Sequence, residues 1–276
     1  MISIIIPANN EEALLPRCLT ALAASDPVDE GVQIIVAANA CTDGTVAVAN
    51  GMAQTFENRG WPLLVLDLAE GGKMNALNRG DAAAMGDKRV YLDADVTVDP
   101  ALMAELSQVL NDPRSTYASG DVRIAQPQSW VSRAYRQIYK RVPFFTQDVP
   151  GCGLFAVNAA GRERWGDFPD IISDDTFVRL SFPPSERKKT DAGYDWPIVE
   201  GFSNLVTVRR RQNIGVDQVA QLYPHLQAND NKPQLTLGQK LGLAFSYPLG
   251  FCVYGAVALT VKLTQARADN HWSRGR

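Results

Sequence analysis

Val90-Tyr91-Leu92-Asp93-Ala94-Asp95 is an apolar strand that closes on two carboxylates one residue apart. Side chains alternate along a strand, so Asp93 and Asp95 point the same way if the extended backbone continues to Asp95. Two like charges are costly inside a buried strand. At the carboxyl end of a parallel strand, where open α/β sheets bind their ligands, the pair can instead hold a divalent cation. Hard oxygen ligands suit Mg²⁺ or Mn²⁺, which share one or two carboxylates with substrate phosphates. The plain alternative is a helix-capping turn, because Asp99-Pro100 opens a new helix.

Working outward, three similar units precede this strand. Ile2 to Ile6 is an almost wholly apolar run stopped by Pro7, the pattern of a central parallel strand covered on both faces. Asn9-Asn10-Glu11-Glu12 then opens a helix in which Leu14, Leu15, Cys18, Leu19 and Leu22 recur at helical spacing. A second strand, 32–36, ends in the polar turn Asn39-Ala40-Cys41-Thr42-Asp43-Gly44-Thr45 and a helix over 46–56. A third, 63–66, leads through Glu70-Gly71-Gly72-Lys73 into a helix over 74–85. With the fourth strand and a helix over 100–110, the repetition predicts a mostly parallel sheet with helices on both faces. Asn10, Asn39, Asp43, Lys73, Asp93 and Asp95 all fall in loops after strands. None of those loops reads GxGxxG or GxxxxGK[ST], so neither a dinucleotide fingerprint nor a P-loop is present. Each loop also has a structural reading, Thr42-Asp43 as a helix cap and Gly71-Gly72 as a turn.

The chain has 276 residues, 46% of them apolar, enough for one large α/β domain with an appended segment. A net charge of −3 and a pI near 5.5 give no reason to expect a nucleic-acid partner. The four cysteines, Cys18, Cys41, Cys152 and Cys252, form no CxxC pair, which argues against a zinc site or a disulfide framework and for a reducing, cytoplasmic location. No basic, apolar leader opens the sequence.

Beyond residue 110 the alternation loosens. A strand is expected over 118–125 and an amphipathic helix over 130–141. Pro150-Gly151-Cys152-Gly153 turns into a short strand, a place where backbone can approach a ligand closely. Ser173 precedes Asp174-Asp175 and can cap the next helix, whose dipole favours carboxylates in its first turn. The charged, proline-containing stretch 181–196 reads as a mobile surface loop. Leu205-Val206-Thr207-Val208 reads as a strand running into Arg209-Arg210-Arg211, and a helix follows over 216–226.

Laid out in order, these residues resemble the family 2 glycosyltransferases, inverting enzymes of the GT-A (nucleotide-diphospho-sugar transferase) fold, over roughly 3–215. Ile4-Ile5-Ile6-Pro7-Ala8-Asn9-Asn10-Glu11-Glu12 is similar to the family's IIIPAYNEE, and 36–45 to its VVDDGSTDGT loop. Gly71-Gly72-Lys73 with Ala76-Leu77-Asn78 is similar to its GK and ALN segments, and Asp93-Ala94-Asp95 to its DxD. Gly151 to Val157 resembles the acceptor-side glycine segment. Gly166-Asp167-Phe168-Pro169 followed by Asp174-Asp175 resembles GGFP and the ED motif.

Residues 216–276 read as a C-terminal apolar helical segment, and the resemblance implies a GT-A domain over 1–215, with a nucleotide-binding half of about 1–112 and an acceptor half of about 113–215. It implies that Pro7, Ala8, Asn10, Glu11, Asn39, Asp43, Lys73, Asp93, Ala94 and Arg211 bind the nucleotide sugar. Asp95 would hold Mg²⁺ or Mn²⁺, Asp175 would be the catalytic base, and Gly151, Gly153 and Asp174 would lie on the acceptor side. The donor would be a nucleotide-diphosphate sugar and the acceptor a glycan or a lipid-linked molecule. His225 is a candidate further metal ligand, with a surface histidine the favoured reading. Asn9, Ala38, Asn39 and Cys41 depart from the pattern, leaving UDP, GDP and dTDP donors all open. No QxxRW motif is present, which argues against a processive polysaccharide synthase. The alternatives are a sugar-phosphate nucleotidyltransferase of similar fold and a catalytically inactive nucleotide-sugar-binding homologue. The former is expected to carry a glycine-rich, Arg- and Lys-bearing first loop, where this chain has Pro-Ala-Asn-Asn-Glu-Glu.

Residues 241–261 carry no charge, and Lys240 and Lys262 flank them. That length can span a bilayer, although Gly242, Pro248, Gly250 and Gly255 interrupt it. A single span, an interfacial or re-entrant helix, and a helix packed on the domain or on a second subunit are the three readings. Membrane association is the favoured one, as a protein peripheral to or anchored at the cytoplasmic face of the inner membrane.

Overall fold

The computed structural model describes residues 1–231 and 234–264. The amino-terminal half alternates strand and helix: β1 (Ile2–Ala8), α1 (Leu15–Ala23), β2 (Val32–Asn39), α2 (Thr45–Gly51), α3 (Ala53–Glu57), β3 (Leu63–Leu68), α4 (Lys73–Ala82) and β4 (Lys88–Leu92). A two-residue β5 (Thr97–Val98), α5 (Leu102–Val109), β6 (Tyr117–Ile124), α6 (Trp130–Tyr139) and the single turn α7 (Pro143–Thr146) follow. Then come β7 (Leu154–Val157), α8 (Ala159–Arg162), α9 (Asp174–Leu180), β8 (Arg187–Trp196) and the long α10 (Phe202–Leu222). Two helices close the described chain, α11 (Leu237–Ser246) and α12 (Pro248–Thr264).

All eight strands form one sheet in the order β3-β2-β1-β4-β7-β6-β8-β5. β1 pairs in parallel with β2 and β4, and β2 with β3, whereas β7 runs antiparallel between β4 and β6. Alternation explains why β1 is apolar throughout. Ile4 and Ile6 enter one core with Leu19, Leu22, Ile34 and Val36, while Ile5 enters the opposite core with Ile35, Leu77, Tyr91 and Phe155. A third cluster joins α6, α10 and α12 through Tyr135, Tyr139, Leu205, Val206, Val257 and Val261.

The structure corrects several sequence expectations. Residues 187–196 form β8, parallel to β6, rather than a mobile loop. Its polar composition masked it: Lys188, Lys189 and Asp191 face solvent, while Arg187 is buried against Asp148 and Tyr194 is fully buried. Residues 205–208 lie inside α10, because packing of Leu205 and Val206 in the third cluster outweighs the strand propensity of that β-branched run. α10 also runs through residue 215. The strand before the paired acids ends at Leu92, and Ala94 and Asp95 form a turn in which the Val96 amide donates to the Asp93 carbonyl at 3.1 Å. Asp93 and Asp95 therefore do not share a face by strand alternation. The apolar run 241–261 is divided at Tyr247-Pro248 into α11 and α12, and no helix among the described residues is long and apolar enough to cross a membrane. The single-span reading is thereby withdrawn.

Beneath β7 and α9 lies a buried ionic network. The Arg179 guanidinium, 1% exposed, donates to Asp148 at 2.7 Å and to Asp230 at 3.2 Å, and Arg187 reaches Asp148 at 3.2 Å. Removing the shared carboxylate leaves the buried Arg187 without its anion and Arg179 with Asp230 alone. Asp148→Ala is expected to destabilise the fold by about 3–5 kcal/mol in urea unfolding. Asp121→Ala, which breaks the exposed pair with Lys189, should cost under about 1 kcal/mol.

Candidate active site

The loops after β1, β2 and β3 are locked together by side-chain amides. Asn39, buried at the end of β2, donates to the Ala8 carbonyl at 2.8 Å and accepts from the Gly72 amide at 3.0 Å. Asn9 returns the bond, donating to the carbonyls of Asn39 at 2.5 Å and Ala40 at 3.1 Å. A carboxylate at 39 could accept from Gly72 but could not donate to Ala8. Two of the four departures from the family pattern, Asn9 and Asn39, thus form one reciprocal lock. Asn10, at a φ of 53°, accepts from the Thr42 amide at 2.7 Å. The Glu11 amide donates to Thr45 Oγ1 at 2.7 Å. Asp43 accepts from the Thr45 amide at 3.0 Å and from the Glu12 amide at 3.2 Å, which fixes the first turn of α2 to the β1 loop. Those bonds hold the Asp43 carboxyl below its ordinary range against the opposing effect of burial.

A cavity of about 520 Å³ opens beside this edge, where β4, β7, α9 and α10 meet. Of the residues singled out in the sequence, Pro7, Lys73, Asp93, Gly151, Gly153, Asp174, Asp175 and Arg211 line it. Ala8, Asn10, Glu11, Asn39, Asp43, Ala94 and Asp95 do not. They lie at the ends of β1 and β2 and in the loops after β1, β2 and β4. His225 is exposed, packs edge-on against Tyr223, and is absent from the cavity wall.

Lys73, the first residue of α4, joins the two ends of the cavity. Its ammonium lies 2.9 Å from Asp93 Oδ1 and 3.1 Å from Asp174 Oδ2. Burial opposes its charge, but Asp174 and then Asp93 outweigh burial and raise the pKa above the ordinary lysine range. Asp93 is fixed from behind, its amide donating to the Gly153 carbonyl at 2.8 Å. Asp174 and Asp175 occupy the first turn of α9 after Ser173, which holds the N-cap position without a cap bond from its hydroxyl. Burial raises Asp174, with the Lys73 charge opposing it. Burial, and after it the neighbouring Asp174 charge, pushes Asp175 up to about 6. A carboxylate so placed is ionised near neutral pH yet basic enough to accept a hydroxyl proton.

The glycines here are set by close approach. Gly151 and Gly153 have φ of 69° and 78°, and a Cβ at Gly151 would sit 1.8 Å from the Tyr117 hydroxyl oxygen. Gly215 lets α10 cross tightly behind α9, since a Cβ there would meet Ser173 Oγ at 2.2 Å and Ile172 Cβ at 3.0 Å.

Apart from Arg211, the opposite wall was not visible in the sequence. α10 presents Arg209, Gln212, Asn213, Val216 and Asp217 to the cavity at helical spacing. That period was hidden once 205–208 was read as a strand. Arg209 donates to the Tyr139 hydroxyl at 3.2 Å and to Gln212 at 2.9 Å. Tyr139, Phe144, Trp196 and Tyr254 complete an aromatic wall drawn from α6, α7, β8 and α12. No local motif marks residues so far apart.

Could the site hold a divalent cation? Among the described residues no three His, Cys, Asp or Glu side chains gather into a protein-only cage. Mg²⁺ and Mn²⁺ at diphosphates need fewer, taking one or two carboxylates and completing their shell with phosphate and water oxygens. Asp95 is half-exposed at the turn, and burial together with the negative field of Asp95, Asp93 and Glu11 raises the nearby Cys18 thiol well above its usual value. A half-exposed carboxylate in a negative field fits such a cation.

A doubly flanked sheet with this cavity at the carboxyl ends of its first strands is the GT-A architecture of nucleotide-sugar glycosyltransferases. The chain belongs to glycosyl transferase family 2, whose family model matches residues 3–162. It is 30% identical over 198 residues to the probable glycosyltransferase YdaM of Bacillus subtilis (strain 168), a match covering 65% of this chain and 46% of that protein. The mannosyltransferase PcManGT of Pyrobaculum calidifontis, solved with GDP-Man and Mn²⁺, superposes with a TM-score of 0.55 at 21% identity, over 96% of this chain and 78% of that one. S. aureus TarS superposes with a TM-score of 0.53 at 12% identity, over 96% of this chain and 55% of that chain. A shorter form of TarS was solved with UDP-GlcNAc (TM-score 0.54, 14% identity, 94% of this chain and 81% of that chain). The chain thus spans about half the length of YdaM and of TarS.

Gly215→Ala should push the first turn of α9 out of place. We expect kcat for sugar transfer to fall by tenfold or more. Donor Kd, measured by calorimetry, should change less than kcat, because the Asn9–Asn39 lock is built from other elements.

Proposed function

We propose that the protein transfers a sugar from a nucleotide-diphosphate donor to an acceptor hydroxyl with inversion at the anomeric carbon, and that Asp175 is the base. The observation that carries this is Asp175 itself, a carboxylate on the cavity wall raised to about 6 and one residue from the Asp174–Lys73–Asp93 bridge. The acceptor hydroxyl gives its proton to Asp175 as its oxygen bonds to the anomeric carbon, and the bond to the diphosphate oxygen breaks on the opposite face. Negative charge collects on the departing nucleoside diphosphate. Arg211, on the α10 wall, supplies positive charge to that side of the cavity. Asp93 orients the sugar side of the donor, held in place by Lys73 and the Gly153 carbonyl.

Asp95 would hold Mg²⁺ or Mn²⁺, which when bound supplies Lewis-acid stabilisation to the diphosphate. The Mn²⁺ and GDP-Man found with PcManGT, and the UDP-GlcNAc found with TarS, support a metal and a nucleotide sugar as partners. The loops of β1 and β2 would receive the nucleoside. Gly151, Gly153 and the aromatic wall would face the acceptor, whose glycan or lipid-borne character suits ring faces that stack on sugar or packed hydrocarbon.

A panel of nucleotide sugars with Mn²⁺ tests the donor side. Turnover or binding of at least one is expected, and inertness to all would defeat the transferase reading. Asp175→Asn should lower transfer by at least about a thousandfold while donor Kd stays within a few-fold. Donor binding lost together with transfer would instead mark Asp175 as a donor-side residue.

The pH profile has a determined sign. Asp175 must be ionised to act, so kcat/KM should rise with pH through an acid limb near 6. Asp174→Asn removes the adjacent like charge and leaves Lys73 with one carboxylate fewer, and both changes favour the charged form of Asp175. The limb should then move to lower pH, and an upward move would contradict the assignment.

A further inference from the structure

The outer surface of α11 and α12 is unlike the rest of the molecule. α11 buries none of its residues, and its first turn is secured by a capping box between Thr236 and Gln239. Leu237, Leu241 and Phe245 project from it, Phe245 at 86% exposure. α12 turns Gly250, Val257 and Val261 inward and leaves Leu249, Phe251, Cys252, Leu259 and Leu263 outward. A ten-residue helix that buries nothing is marginal in water, so this surface calls for a cover.

Charge identifies the cover. Residues 124–147, which include α6, and residues 231–264, which include α11 and α12, contain no Asp or Glu, in a chain whose net charge is −3. The cations are placed around the apolar face. Arg141 stacks on Tyr247, at the corner between α11 and α12, at 4.0 Å and donates to its hydroxyl at 2.7 Å. Gln137 of α6 lies against Gly250 of α12, so the exposed Arg133 and Lys140 of α6 border the same surface. Burial, and then the charges of Arg136 and Arg141, lower the Lys140 ammonium. Lys240 and Lys262 stand exposed on the two helices, and Trp130, 60% exposed, opens α6. An apolar face rimmed by cations, with an exposed Trp nearby, matches a helix pair lying in the interface of an anionic bilayer.

We propose that α11, α12 and the exposed side of α6 form an in-plane docking surface for a bilayer of anionic lipid. Docking does not depend on the transfer chemistry. It bears on that chemistry through Tyr254, which lies on α12 and lines the catalytic cavity, so a docked protein presents that cavity to amphiphilic acceptors at the membrane surface.

Flotation of the full chain with phosphatidylcholine vesicles, with and without phosphatidylglycerol, tests the proposal. We expect binding that is strongest with phosphatidylglycerol and weakened by sodium chloride. Phe245→Glu/Leu249→Glu should abolish it. Arg133→Glu/Lys140→Glu should lower binding to the anionic vesicles by about tenfold or more. Both pairs are surface changes, and unaltered thermal melting and donor turnover report that the fold and the catalytic site persist. No binding by the wild-type chain, or equal binding by the Phe245→Glu/Leu249→Glu variant, overturns the proposal. So does a sedimentation result in which that variant dissociates a dimer of a chain that never floats. Donor turnover is read separately, so loss of the transfer reading would not be mistaken for loss of docking.

Discussion

One ammonium group organises the site. Lys73 stands at the start of α4, where the chain leaves β3, and holds Asp93 from the end of β4 and Asp174 from the start of α9. These three elements reach the same point only because β4 lies centrally in the sheet and β7 carries the Gly151–Gly153 turn alongside it. Without the lysine, two carboxylates would face each other across a buried gap, and their repulsion would push the ends of β4 and α9 apart. With it, Asp93 and Asp174 are parts of one charge-compensated unit. Asp175 is left beside that unit, raised by burial and by Asp174, a setting that suits the role of base proposed for it.

The remaining structure serves to keep that unit in register. On the nucleotide side, Asn9 and Asn39 join three loops by amide bonds that a pair of acids could not make. On the other side, Arg179 lies one helical turn beyond Asp175 and is clamped by Asp148 and Asp230, while Gly215 lets α10 close behind the same helix. α10 then carries its polar face to the cavity and its apolar face to α12. The catalytic edge and the exposed apolar surface are thus two sides of one helical layer.

The order of the first four strands, the polar loops at their carboxyl ends and the approach of Asp174-Asp175 to the site were legible in the sequence. Local patterns write them: apolar runs closed by Pro7, Gly71-Gly72 and Asp93, and acids after Ser173. What escaped was set by distant partners. β8 is a strand because β6 offers it hydrogen bonds and Asp148 receives Arg187, and neither is visible in its charged sequence. The start of α10 was read as a strand from β-branched residues whose helical state is enforced by the α6–α12 cluster. Asn39, expected beside the nucleotide, also proves to be a buried strut between Ala8 and Gly72, a role set by partners distant in sequence. The aromatic wall of Tyr139, Trp196 and Tyr254 comes from residues more than fifty apart in sequence, so only the folded chain assembles it.

The proposed reaction is a single displacement with Asp175 on the face opposite the leaving diphosphate. Its most direct test is the anomeric configuration of the first-formed product. Proton NMR during turnover of an α-linked nucleotide sugar, followed before mutarotation, reads it without knowledge of the natural acceptor. The account predicts that the β anomer forms first. A product that retains the α configuration would contradict it.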